Sequence, residues 1–132
     1  MKVLIVEKDP SLGDFIKAFL EDWGHEAHHC TRGKDAVRVF KTGYHDLVIM
    51  EVVLPDMKGE HLISKLKEVS PDARIVAMTG SNSRELEARI RERGILYYMV
   101  KPFETENLKS LLEHLSKRHA KTPSWAEWRK QS

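Results

Sequence analysis

Five residues stand where chemistry could be done: Glu7 and Lys8, Glu51, Thr79 and Lys101. Each follows a short apolar run of the kind that forms a buried strand, and each is polar where the chain turns out of it. The run Leu47-Val48-Ile49-Met50 is the clearest: it is too short for a helix and is bounded by turn formers. Glu51 ends it, and Pro55, Asp56 and Gly59 follow in a loop. A carboxylate at the carboxyl end of a buried central strand in an open α/β sheet lies where ligands gather. Polar strand ends are partly forced by such a fold, so the Lys101-Pro102 step after an aromatic strand is the more telling feature.

The elements that would position these residues alternate strictly. Lys2–Val6 reads as a strand, and Asp9 then caps a helix with Pro10 at its first position. In that helix Leu12, Phe15, Ile16, Phe19, Leu20 and Trp23 follow the spacing of one buried face, and Gly24 stops it. His25–Cys30 is a short polar strand near an edge, and a helix over Lys34–Lys41 turns Ala36, Val37 and Phe40 inward. Leu62, Ile63, Leu66 and Val69 mark a third helix, Arg74–Met78 a fourth strand, and Ser83 caps a charged helix running to Arg93. Ile95–Val100 is the fifth strand, and a last helix carries Leu108, Leu111, Leu112 and Leu115 on one side. Five strand–helix units in strict alternation imply an α/β fold, a parallel sheet with right-handed crossovers and helices on both faces. On such a sheet all strand carboxyl ends share one edge, which brings Glu7-Lys8, Glu51, Thr79 and Lys101 together.

Composition limits the function classes. The 132 residues are 41% hydrophobic and 32% charged, ordinary values for a globular domain, and no run is long enough for a membrane span. The amino terminus carries no secretory pattern and Cys30 is the single cysteine, so a reducing, cytoplasmic setting without disulfides is expected. From Lys117 onward five basic residues face one acid, +4 in a chain of net charge +2. Residues 1–116 therefore carry −2, so the basic character belongs to the tail and nucleic acid is not an expected partner.

Taken in order, VLIVEKDP, DLVIMEVVLPDMKG, VAMTG and YYMVKPF resemble the receiver domain of bacterial response regulators over residues 1–116. The resemblance implies the flavodoxin-like doubly wound fold with strand order 2-1-3-4-5 and a role in two-component phosphorelay signalling, not an enzyme. In that family a pair of acids after the first strand and an aspartate after the third hold Mg²⁺, and that aspartate accepts a phosphoryl group from a histidine kinase. A Ser or Thr and a Lys contact the phosphoryl oxygens, and an aromatic residue reports the state. Glu7, Thr79, Lys101 and Tyr98 match these positions, and Pro102 matches a proline whose preceding peptide is commonly cis.

Two positions depart from the family. The phosphoacceptor aspartate is Glu51, and the second acid of the pair is Lys8. Glu7 and Glu51 against Lys8 and Lys101 sum to zero charge, where the family pocket is negative. Two unit charges about 4 Å apart interact by about 4 kcal/mol at an effective dielectric near 20, so exchanging an acid for Lys turns attraction of the ion into comparable repulsion. Absent or weak Mg²⁺ binding, no bound metal and no useful phosphorylation are expected. The Lys8 ammonium is expected to sit between Glu7 and Glu51 in place of the ion. Glu51 then either imitates a phosphorylated aspartate in part or leaves the pocket fixed in one conformation.

The remaining features concern partners. His25, His28, His29 and Cys30 match no zinc spacing and alternate across a strand, so they are not expected to bind metal. In the family the fourth helix, fifth strand and fifth helix form the partner surface, here Arg84, Arg89, Tyr97 and Tyr98. The tail, residues 117–132, places Trp125 and Trp128 three apart among basic residues, a second surface for a protein partner or a linker to an output domain. A conventional phosphorylatable regulator is the alternative, as is a flavodoxin-like cofactor-binding protein or enzyme. Against the latter, the loop Glu7 to Gly13 has no phosphate cradle.

Overall fold

The computed structural model describes residues 1–81 and 83–120, the side chains of 118–120 excepted. In chain order these form β1 (Lys2–Val6), α1 (Pro10–Asp22), β2 (Glu26–Cys30), α2 (Gly33–Thr42), β3 (Leu47–Glu51), α3 (Gly59–Val69), β4 (Ile75–Thr79), α4 (Arg84–Arg91), β5 (Tyr97–Val100) and α5 (Thr105–Ala120). All strand pairings are parallel and the order is β2-β1-β3-β4-β5, the flavodoxin-like arrangement. The chain divides into two compact units, Met1–Pro102 and Phe103–Ser132. The second contains α5, with Leu108, Leu112 and Leu115 buried. The helix runs on through Ala120, past the expected boundary at residue 116. Trp125 and Trp128 lie outside the described residues.

Burial follows the pleat. β3 and β4 are buried along their whole length, as uninterrupted apolar runs require in a sheet covered on both faces, while β2 alternates at an edge. Leu4, Val6, Val48, Met50, Ile75 and Ala77 share one core with Ala36 and Phe40 of α2, Leu62, Ile63 and Leu66 of α3, and Ile90 of α4. α1 packs against β1 and β2.

Asp9 caps α1 by accepting from the backbone N–H of Ser11 and Leu12, and Ser83 caps α4 by accepting from Leu86 N–H. Several expectations shift. Only Ile16 and Leu20 of the apolar series in α1 are buried, whereas Phe15 is 55% exposed and meets Phe19 edge to face along the helix, and Phe19 in turn meets Trp23. The fifth strand begins at Tyr97 rather than Ile95, and Glu51 and Thr79 are the last residues inside their strands rather than the first beyond them.

Candidate functional site

The register delivers the site. Val6 pairs with Met50, so Glu7 and Glu51 fall level at the ends of adjacent strands, and Thr79 pairs with Val100, so Lys101 leaves one step beyond Thr79. Backbone bonds hold these ends: Glu7 N–H to Cys30 O at 2.9 Å and Lys101 N–H to Thr79 O at 2.8 Å. The Lys101–Pro102 peptide is cis. Glu7 and Glu51 are 0% and 2% exposed, and with Thr79 they are the buried polar side chains among the described residues.

Two buried carboxylates need a cation, and the chain supplies its own. Lys101 Nζ donates to Glu7 Oε1 and, at 2.6 Å, to Glu51 Oε1. The second oxygens are taken by the backbone: Asp9 N–H donates to Glu7 Oε2 at 2.8 Å and Val53 N–H to Glu51 Oε2 at 2.9 Å. Every carboxylate oxygen of the pair therefore has a donor. Burial works to lower the Lys101 ammonium, but the hydrogen bonds and charges of Glu51 and Glu7 outweigh it and leave its pKa above the usual lysine value.

Lys8 does not enter this arrangement. It is exposed and forms no ion pair with Glu7 or Glu51, so the expected Lys8 bridge is corrected to a Lys101 bridge. The reason is local: neighbouring side chains of an extended chain point to opposite sides, and Glu7 points inward. Thr79 is buried, yet its hydroxyl accepts from Ser81 N–H at 3.0 Å and serves the turn after β4. Tyr98 is 7% exposed, with no hydrogen-bond partner for its hydroxyl among the described residues and the Arg91 guanidinium 5.5 Å above its ring. Burial raises the Tyr98 phenol above its ordinary pKa, with Glu87 and Glu51 adding and Arg91 opposing.

Two supporting residues carried no functional signal in the sequence. His29 Nε2 donates to Glu7 O at 2.9 Å, and its ring occupies the space over Gly13, where a Cβ would lie 2.0 Å from it. Asp56 accepts from the N–H groups of Gly33 and Lys34 at 2.9 Å each and so ties the loop after Glu51 to the start of α2. At the opposite, amino end of β3 and β4 a cavity of about 370 Å³ opens between Tyr44, His45, Val69, Ser70 and Arg74. It is built by two loops distant in sequence, and no motif announces it.

The family model of the response regulator receiver domain matches residues 3–113. The chain belongs to that family. It is 32% identical over 111 residues to the DNA-binding transcriptional regulator NtrC of Azospirillum brasilense, which covers 84% of this chain and 23% of the relative. It is 28% identical over 126 residues to the transcriptional regulatory protein ZraR of Escherichia coli K12, covering 92% of this chain and 29% of that one. The chain thus spans about a quarter of the length of these relatives. Among solved structures, a two-component response regulator from Clostridium difficile superimposes with a TM-score of 0.85 at 26% identity, covering 90% of this chain and 98% of the other. A CheY-like receiver domain protein from Methanospirillum hungatei gives 0.82 at 25%, covering 90% and 96%. No helix among the described residues is long and apolar enough to cross a membrane.

The receiver family implies Mg²⁺ at this edge of the sheet, and this receiver's donors do not fit it. Mg²⁺ demands near-octahedral oxygen ligands. Here the oxygens of Glu7 and Glu51 are already hydrogen-bonded, the third acid is the outward Lys8, and the described residues hold no group of three His, Cys, Asp or Glu placed to bind a metal.

Proposed function

We propose that this receiver domain signals through protein–protein contact in a two-component pathway without being phosphorylated at Glu51. The observation that carries this reading is the Lys101 ammonium seated between Glu7 and Glu51, with all four carboxylate oxygens engaged. Phosphoryl transfer relies on positioning and on metal electrostatics. Glu51 would have to leave Lys101 and Val53 N–H to attack, with no divalent ion to replace them. Its extra methylene displaces the carboxylate by about an ångström relative to an aspartate, a misplacement of the size that costs about 10²-fold. The pocket is thus an internally neutralised strut, and it does not imitate the phosphorylated state: Thr79 is bonded to Ser81 rather than drawn toward Glu51. Contact with the partner runs through Arg84, Arg89 and Tyr97, which are exposed on α4 and β5.

The test is incubation of the full chain with acetyl phosphate and millimolar Mg²⁺, read by intact mass. No phosphoryl adduct is expected for the wild type, and calorimetry should show no Mg²⁺ binding in the millimolar range. An adduct that disappears in Glu51→Ala would overturn the reading.

A further inference from the structure

The helices on the core side of the sheet are unequally anchored. α2 buries Ala36 and Phe40 and α3 buries Leu62, Ile63 and Leu66, whereas α4 buries Ile90 alone. A helix of eight residues with one buried side chain is too short and too thinly apolar to hold its place by burial.

What holds it is polar. Glu60, Ser64 and Lys67 stand four and three residues apart, on one face of α3. Glu60 accepts from Arg89 Nε at 3.2 Å and lies 3.9 Å from Arg93 Nη2. Ser64 Oγ accepts from Arg93 Nη1 at 3.3 Å while donating to Glu60 O at 3.1 Å. Lys67 Nζ donates to Gly94 O at 3.0 Å, just beyond the α4 carboxyl end, where a cation is favoured by the helix dipole. Gly94, at φ +80°, supplies the left-handed turn, and a Cβ there would lie 3.0 Å from that ammonium. On its other side α4 sends Arg91, tied to Glu87 at 2.7 Å, over the ring of Tyr98.

We propose that the α3 stripe Glu60–Ser64–Lys67 is a polar latch that sets how tightly α4 closes over Tyr98, so that α4 opens as a local unit while the sheet stays folded. Opening changes the face that α4 and Tyr98 offer to a partner, and the latch sets how often that occurs. It acts independently of whether Glu51 takes a phosphoryl group.

Native-state hydrogen exchange on the full chain tests this. In Glu60→Gln/Lys67→Met, the amides of Glu87–Glu92 should exchange about fivefold faster than in wild type, equal to roughly 1 kcal/mol at 1.4 kcal/mol per tenfold. Amides of β3 and β4 should be unchanged. In the wild type, raising NaCl to about 0.5 M should selectively speed the same α4 amides, because screening weakens the exposed pairs. If the variant does not fold, this salt response decides the matter. Unchanged α4 exchange in both experiments, or acceleration spread equally over α4, β3 and β4, overturns the proposal.

Discussion

Replacing Lys101 by Met isolates the interaction on which the site rests. The substitution keeps most of the buried stem and removes the only cation among the described residues bonded to Glu7 and Glu51, which are 0% and 2% exposed. Removing one partner of a buried ion pair costs about 3–5 kcal/mol, because a desolvated charge is left behind. Here each carboxylate keeps one backbone donor, from Asp9 and Val53, which favours the lower end, about 3 kcal/mol. For a chain of this size that is a fall in Tm of about 10 °C. Urea unfolding followed by circular dichroism near neutral pH should show the full loss. The wild type has its own signature. With its pKa raised in the fold, Lys101 contributes stability that is complete below the ordinary lysine value of 10.5 and is lost as pH climbs through the higher folded value. Wild type and variant should therefore converge only at strongly alkaline pH. Adding Glu7→Gln to Lys101→Met should recover part of the loss by deleting one of the two charges. A deficit under about 1 kcal/mol near neutral pH, or one that persists undiminished at strongly alkaline pH, refutes the strut.

Two further outcomes follow from local geometry. In Gly59→Ala the new Cβ would meet Val52 O at 2.6 Å and Val52 Cα at 2.8 Å, backbone atoms that cannot swing aside; a loss of about 2–3 kcal/mol is expected, and an unchanged urea midpoint would contradict it. Asp56→Ala should cost about 1 kcal/mol by uncapping the start of α2. For Asp56, burial pushes the carboxyl upward, but the N–H groups of Lys34 and Gly33 outweigh it and hold the pKa below 3.8. Its contribution is thus present above that value and lost as pH falls through the folded one, so the gap between variant and wild type should close in strong acid. A gap independent of pH would refute this assignment.

Periodicity was informative where one environment surrounds an element and misleading where two do. β3 and β4 see apolar core on both faces, so an unbroken apolar run suffices to place them. In α1 two stripes lie side by side, Ile16–Leu20 and Phe15–Phe19–Trp23, and spacing alone does not say which one meets the sheet. The latch on α3 was equally hidden. Glu60, Ser64 and Lys67 look like any solvated helix face until α4 is laid beside them.

The order of elements, the parallel sheet and the level at which Glu7, Glu51 and Lys101 end their strands were fixed by local pattern and motif, because alternation and right-handed crossovers leave few arrangements. Which lysine neutralises the acids was not. Lys8 is adjacent to Glu7 in sequence and Lys101 is 94 residues away, yet adjacency in an extended chain turns Lys8 outward, while four crossovers bring the long stem of Lys101 back to the sheet edge. Charge counting sees both cations alike; only the folded chain decides which of them loses its water.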